Sequence, residues 1–80
     1  MERRDIEAKL TDILVQQLGV APGAVGPESS LEEDLGLDSL AMLDLFLALE
    51  EACGVNIPDD EAERITTVGE AIDAVARQGG

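Results

Sequence analysis

The chain has 80 residues, with 18 acidic and five basic side chains and a formal net charge of −13 at pH 7. A single cysteine excludes an intramolecular disulfide, and the lack of histidine excludes a Cys/His zinc site and any catalytic triad that needs an imidazole base. We therefore expect one domain over residues 1–80, with no metal site and no catalytic residue. Its charge would repel nucleic acid and anionic membranes, so neither is an expected partner.

The basic residues lie toward the two ends of the chain: Arg3, Arg4, Lys9, Arg64 and Arg77. Residues 10–63 have no positive charge and hold most of the acids, which favours partners with positive surfaces. The N-terminal residues are amphipathic, and this pattern predicts neither a signal peptide nor a membrane span. We expect a cytoplasmic monomer, and Met1 with its short flanks favours a free protein.

The first predicted element is an amphipathic helix over roughly 3–18, which Gly19 ends. Its apolar residues recur at helical spacing: Ile6, Leu10, Ile13, Leu14 and Leu18. Residues 20–30 are rich in glycine, proline and serine and predict a long loop, attached to the core by Val20 and Val25. Ser30 and Glu33 have the spacing of a capping box, which predicts a brief helical turn over 31–34.

The second helix is predicted over 39–53, a stretch without glycine, proline or β-branched residues that is followed by Gly54 and Pro58. Its apolar residues extend beyond the single stripe that an amphipathic helix buries. We predict that Leu43, Phe46 and either Leu49 or Leu47 pack on the first and fourth helices. Leu40 and Met42 are expected to stay partly exposed.

A short third helix is predicted over 59–64, where acids occupy the positive end of the helix dipole. The fourth is predicted over 67–77, because Thr67 and Glu70 form a second capping box before an apolar helical pattern. Gly79 and Gly80 are expected to form a frayed terminus. The sequence thus predicts an all-α fold with three longer helices, one short third helix and a long first loop.

Ser39 is the candidate site, because it follows a glycine-containing loop and falls in the first turn of the strongest helix. The free N–H groups and positive dipole at a helix N-terminus favour an anion, so a phosphodiester on the Ser39 hydroxyl would be stabilised there. The structural alternative is an ordinary N-cap serine, or a serine beside an N-cap Asp38.

Several motifs resemble the acyl carrier protein family. They are D-L-G-L-D-S-L at 34–40, A-L-E-E at 48–51, I-P-D-D at 57–60 and A-E-R-I-T-T-V at 62–68. The resemblance implies an acyl-carrier-type four-helix bundle that is not an enzyme. It also implies that a phosphopantetheinyl transferase moves 4′-phosphopantetheine from coenzyme A onto Ser39, between Asp38 and Leu40, where the group carries acyl intermediates as thioesters.

The resemblance further implies two sets of contact residues. Partner enzymes with basic patches, such as a ketosynthase or acyltransferase, would dock on Leu40, Met42, Asp44, Glu50 and Glu51, although such acids can also form a merely solvated face. A bound acyl chain would be lined by Leu49, Ile57, Ile65 and Val68, which could equally be ordinary core residues.

The sequence departs from fatty-acid carriers at Ala41 and Met42, where an acid and a small polar residue are usual. Leu31, Cys53 and Ala74 replace frequent aromatic residues, and we expect Cys53 to be a small buried hydrophobe. These departures favour a carrier of polyketide or other specialised biosynthesis. A fatty-acid carrier, a peptidyl or aminoacyl carrier, and an acidic helical adaptor without a prosthetic group remain alternatives.

Overall fold

Four α-helices follow one another in the computed structural model of the chain, which describes residues 2–79. They are α1 (Arg3–Asp12), α2 (Ser39–Cys53), α3 (Asp59–Ala62) and α4 (Val68–Gly79). The predicted all-α fold, with three longer helices, a short third helix and a long first loop, is confirmed. None of the helices within residues 2–79 is long and apolar enough to span a bilayer.

The first helix does not end at Asp12 but continues as a π-helical turn over Ile13–Gln17. The Leu18 N–H donates to the Ile13 carbonyl at 3.2 Å, which is the wide spacing of that turn. The prediction of a helix over 3–18 is therefore right in extent, although its last turn is not α-helical. Val20 follows it into the core and is 8% exposed, as predicted.

The core lies where α1, α2 and α4 contact one another. Its buried side chains include Ile6, Leu10 and Leu14 before the first loop, Leu45 and Leu49 on α2, and Ala71, Ile72 and Val75 on α4. The short helix α3 contributes no buried residue.

The predicted core positions on α2 need a correction. Leu43 and Leu47 are 55% and 54% exposed, whereas Leu45 is fully buried together with Leu49, and Phe46 is 9% exposed. The reason is helical phase. Leu45 and Leu49 are four residues apart and lie on the face of α2 that packs in the core. Leu43 and Leu47 lie on a different face of the helix.

The long first loop is fastened to the start of α4 by backbone hydrogen bonds. The Leu31 N–H donates to the Thr66 carbonyl at 2.9 Å, and the Val68 N–H donates to the Ser29 carbonyl at 3.1 Å. The Gly69 N–H reaches the Pro27 carbonyl at 2.8 Å. Loop and helix lie so close at this point that a Cβ on Gly69 would be 2.8 Å from the Pro27 oxygen.

Both predicted capping boxes form, one of them with a different partner. At α4, Thr67 Oγ1 accepts from the Glu70 N–H at 3.2 Å, and Glu70 Oε1 accepts from the Thr67 N–H at 3.1 Å. In the turn over 31–34, Ser30 Oγ accepts from the Glu33 N–H at 3.2 Å. There the Ser30 N–H donates to Asp34 Oδ2 at 2.6 Å, so Asp34 completes the box in place of Glu33.

The third helix is shorter than predicted and the fourth is longer. After Ala62 the chain tightens into three-residue turns, with the Arg64 N–H donating to the Glu61 carbonyl, and this carries Ile65 into the core. Arg77 bonds to Glu61 and joins the end of α4 to α3. Helix α4 extends to Gly79, contrary to the frayed end predicted there, and Gly80 lies outside the described residues.

Glu70 makes the stability of the fold depend on pH. The pKa of Glu70 is held below its ordinary value mainly by the hydrogen bond from the Thr66 hydroxyl, and next by the hydrogen bond from the Thr66 N–H. A lowered pKa stabilises the fold at pH values above the ordinary glutamate pKa of about 4.3. This stabilisation is lost as the pH falls through the lowered pKa of the folded state. We therefore expect Glu70→Gln to lower the free energy of unfolding at neutral pH. The difference from the wild type should vanish on acidification, and urea titrations across the acid range would measure it. A difference that is constant with pH would contradict this role.

Candidate functional site

Ser39 is the first residue of α2 and is exposed, as are its neighbours Asp38 and Leu40. Asp38 is the N-cap: its backbone is extended, and its Oδ1 accepts from the Ala41 N–H at 2.8 Å. The cap thus uses the aspartate and leaves Ser39 Oγ without a hydrogen bond to any residue from 2 to 79.

The loop before Ser39 is fixed by a buried leucine. Leu37 is 6% exposed, and its N–H donates to the Leu31 carbonyl at 3.0 Å. Because Leu31 is itself fully buried and bonded to Thr66, the loop leads into α2 from an anchored position. Ser39 is therefore an exposed side chain on a well-supported backbone.

The start of α2 suits a phosphate. The N–H groups of Ser39 and Leu40 precede any intrahelical acceptor, and the positive end of the helix dipole lies at the same place. A phosphodiester on Ser39 Oγ would face both.

A groove of about 460 Å³ opens beside Ser39, between α2 and α3. Its apolar side chains are Met42, Leu43, Phe46, Ala62 and Ile65. Three acids also border it: Glu32, Asp59 and Glu63. The groove therefore offers an apolar surface with an acidic margin within reach of the serine.

The predicted lining residues are all buried, but only one of them reaches this groove. Leu49, Ile57 and Val68 are at most 5% exposed and are absent from its walls. Ile65, which is also buried, contributes to the groove.

The outer face of α2, defined here as Leu40, Leu43, Asp44, Leu47 and Glu51, is exposed to solvent. Leu40 is 71% exposed, the largest exposure among the three leucines. These positions recur at intervals of three and four, so they form one stripe along the helix. Leu43, and Leu47 as the alternative to Leu49, were predicted to be core residues, although the acids at 44 and 51 mark the solvent side of the helix.

Two of the predicted docking residues lie elsewhere. Met42 is half-buried in the groove. Glu50 is also half-buried, and its Oε2 accepts from the Ile57 N–H at 2.7 Å, which holds the segment after α2 against the helix. Leu40, Asp44 and Glu51 are the predicted docking residues that share the outer face.

No ion pair within residues 2–79 involves an acid of α2. The pairs join Arg3 to Asp73, Arg4 to Glu2, and Arg77 to Glu61. Within the described residues, the negative charge on the outer face of α2 is therefore not compensated by an ion pair.

Comparison with known proteins identifies the family. Residues 8–75 match the family described as "Phosphopantetheine attachment site". An acyl carrier protein of Rubrobacter xylanophilus is 51% identical over 75 residues, which is 94% of this chain and 93% of that relative. The chain belongs to the acyl carrier protein family. Acyl carrier proteins are not enzymes, and their prosthetic group is phosphopantetheine, so both expectations are confirmed.

Cys53 lies apart from the serine of this carrier, at the far end of α2. It is half-buried, and burial raises the pKa of its thiol, a shift that Lys9 partly offsets. The thiolate, which is the reactive form, is therefore disfavoured. Cys53 was predicted to be a small buried hydrophobe, and its side chain is half-buried instead.

The uncompensated acids should make the fold of this carrier sensitive to salt. Repulsion among like charges is screened as ionic strength rises, so we expect both sodium chloride and magnesium chloride to raise the melting temperature. Thermal melts followed by circular dichroism test this. The Asp44→Asn/Glu51→Gln variant should show a smaller salt dependence, and a melting temperature indifferent to both salts would contradict the prediction.

Proposed function

We propose that this acyl carrier protein holds phosphopantetheine on Ser39 Oγ and presents acyl groups to partner enzymes. The observation that supports it most directly is the exposed Ser39 at the start of α2, with its hydroxyl left free by the Asp38 cap. When bound, the group supplies a flexible arm whose thiol holds an acyl group as a thioester.

The neighbouring residues have separate tasks in this proposal. Asp38 fixes the first turn of α2, and the N–H groups of Ser39 and Leu40 stabilise the phosphate anion. The protein thereby confines the cargo near the docked enzyme and raises its effective concentration there.

Docking would use the outer face of α2. Its exposed leucines supply apolar contact area, while Asp44 and Glu51 attract a basic patch on the transferase or on an enzyme such as a ketosynthase or acyltransferase. Glu50 and Met42 were also predicted to dock. Glu50 would act indirectly, through its hydrogen bond to Ile57, and Met42 from the groove.

The pathway we propose is polyketide or other specialised biosynthesis rather than fatty-acid synthesis. The support is the apolar pair after the serine: Ala41 and Met42 are both half-buried and pack against the core. The surface beside the arm is therefore less charged than in the fatty-acid carriers that the sequence resembles. Ketosynthase genes beside the coding gene would support this choice, whereas adenylation genes would favour an aminoacyl carrier.

The attachment is tested by incubating the protein with coenzyme A and a promiscuous phosphopantetheinyl transferase and then measuring its intact mass. We expect the wild type to gain the mass of one phosphopantetheine and Ser39→Ala to gain none. Ser30→Ala serves as the control, since Ser30 also lies at the start of a turn, and it should be modified normally. An unmodified wild type would favour the adaptor alternative, and a gain that survives Ser39→Ala would refute the assignment.

A further inference from the structure

One face of α2 leads from Ser39 along the groove. Ser39, Met42, Leu43 and Phe46 line it and are spaced three, four and seven residues apart, so they share a side of the helix. At the rise of an α-helix, Ser39 and Phe46 are about 10 Å apart along the axis.

Phe46 belongs to the groove and to the core at once. It lines the groove, it is only 9% exposed, and it is the single aromatic residue of the chain. No residue of α2 beyond Phe46 lines the groove.

Beyond Phe46 this face of α2 meets the core at Leu49, while Glu50 beside it is half-buried. Leu49 lies one turn after Phe46 and is fully buried. Ile57, which is 5% exposed, is held beside this part of α2 by its hydrogen bond to Glu50. Phe46 is thus the last groove residue and the first core residue along this face.

We infer that Phe46 closes the inner end of the groove, so that this carrier shelters only short acyl groups. The inference rests on the proposed attachment at Ser39. It differs from the lining implied by the family resemblance, in which the cargo would also touch Leu49, Ile57 and Val68. The acidic margin formed by Glu32, Asp59 and Glu63 further disfavours cargo that ends in a carboxylate.

The physical consequence is a limit on chain length. Each methylene buried on the apolar wall favours the sheltered state by roughly fourfold. A chain that reaches Phe46 gains no further apolar contact, because the space beyond is filled by close-packed side chains.

The test uses the protein with acyl-phosphopantetheine on Ser39, which a promiscuous phosphopantetheinyl transferase moves whole from acyl-coenzyme A. The acyl groups are straight and saturated, from acetyl to dodecanoyl. The first readout is the rate at which hydroxylamine cleaves the thioester. The second is the shift of labelled isoleucine methyl signals in NMR spectra, where Ile65 reports on the groove and Ile57 on the core beyond Phe46.

In the wild type we expect the cleavage rate to fall by at most roughly fourfold per methylene for short chains and then to level off. Ile65 should shift and Ile57 should not. In Phe46→Val the levelling should move to longer chains, and Ile57 should begin to shift. Phe46→Leu is the milder variant if Phe46→Val fails to fold. Leu45→Val, which changes a buried residue outside the groove, controls for destabilisation and should behave as the wild type.

Protection that keeps increasing to dodecanoyl in the wild type, with shifts at Ile57, would overturn the inference. So would an absence of protection at every length, or Phe46 variants that match the wild type. Failure of the attachment itself is recognised separately, because the intact mass would then show no loaded protein.

Discussion

Reversal of the two acids on the outer face of α2, in Asp44→Lys/Glu51→Lys, is expected to slow association with a phosphopantetheinyl transferase by roughly 10- to 1000-fold at low salt. Both side chains are exposed, and neither is paired with a cation of this chain within residues 2–79. No ion pair within those residues therefore weakens the attraction of Asp44 and Glu51 for a basic patch on the partner. Stopped-flow measurement of binding to a transferase with a basic patch gives the association rate.

The matched control for this variant is Glu7→Lys/Asp12→Lys, which makes the same change in net charge at exposed positions of α1. We expect it to have a much smaller effect, since steering depends on where the charge lies. The difference in association rate between the two variants should become smaller as salt is added. Salt screens exposed charges, and the Debye length is about 10 Å at 0.1 M. Equal slowing in both variants would show that net charge, and not the outer face of α2, directs the encounter.

Gly69→Ala is expected to destabilise the fold although alanine is the better helix former. Relieving the 2.8 Å approach of a new Cβ to the Pro27 oxygen must move backbone, at a cost of about 1–3 kcal/mol for overpacking. The helix propensity of alanine returns up to about 1 kcal/mol. With the full return subtracted, the net loss is up to about 2 kcal/mol, which would lower the melting temperature by up to roughly 16 °C in a domain of this size.

Gly23→Ala is the control for Gly69→Ala. A Cβ on Gly23 meets no atom within 4 Å, so this change should leave stability unchanged or raise it slightly. Thermal melts of both variants decide the matter. If Gly69→Ala melts at or above the wild-type temperature, the backbone at the contact between the first loop and α4 can move at a smaller cost in free energy than the geometry indicates.

The start of α2 could be predicted from the sequence because its signals are local. Strong helix formers follow Asp38 without interruption, and Asp38 is a preferred capping residue. The Thr67 and Glu70 box was predictable for the same reason. In each case one side chain reaches backbone only three residues away.

The division of α2 into faces could not be predicted in the same way. Leucines occupy nearly every side of the helix, so the apolar pattern does not indicate which side is buried. Packing against α1 and α4 decides that Leu45 and Leu49 are the buried leucines. The role of Glu50 was also hidden, since its partner Ile57 lies seven residues away in a separate segment.

The groove beside Ser39 depends on contacts between separate elements. Ile65 reaches it only because the chain turns sharply after Ala62, and Val68 is drawn into the core by the first loop. Residue types at these two positions are nearly alike, so composition cannot distinguish a groove wall from a core residue.

The hydrogen bonds between the first loop and the start of α4 have a consequence for biosynthesis. Leu37, which supports Ser39, bonds to Leu31, and Leu31 bonds to Thr66, which lies just before the start of α4. A nascent chain that has left the ribosome only as far as α3 has no Thr66 carbonyl for Leu31. The loop that supports Ser39 is therefore anchored only once Thr66 has emerged, and a chain cut short before that residue would present the serine on an unanchored loop.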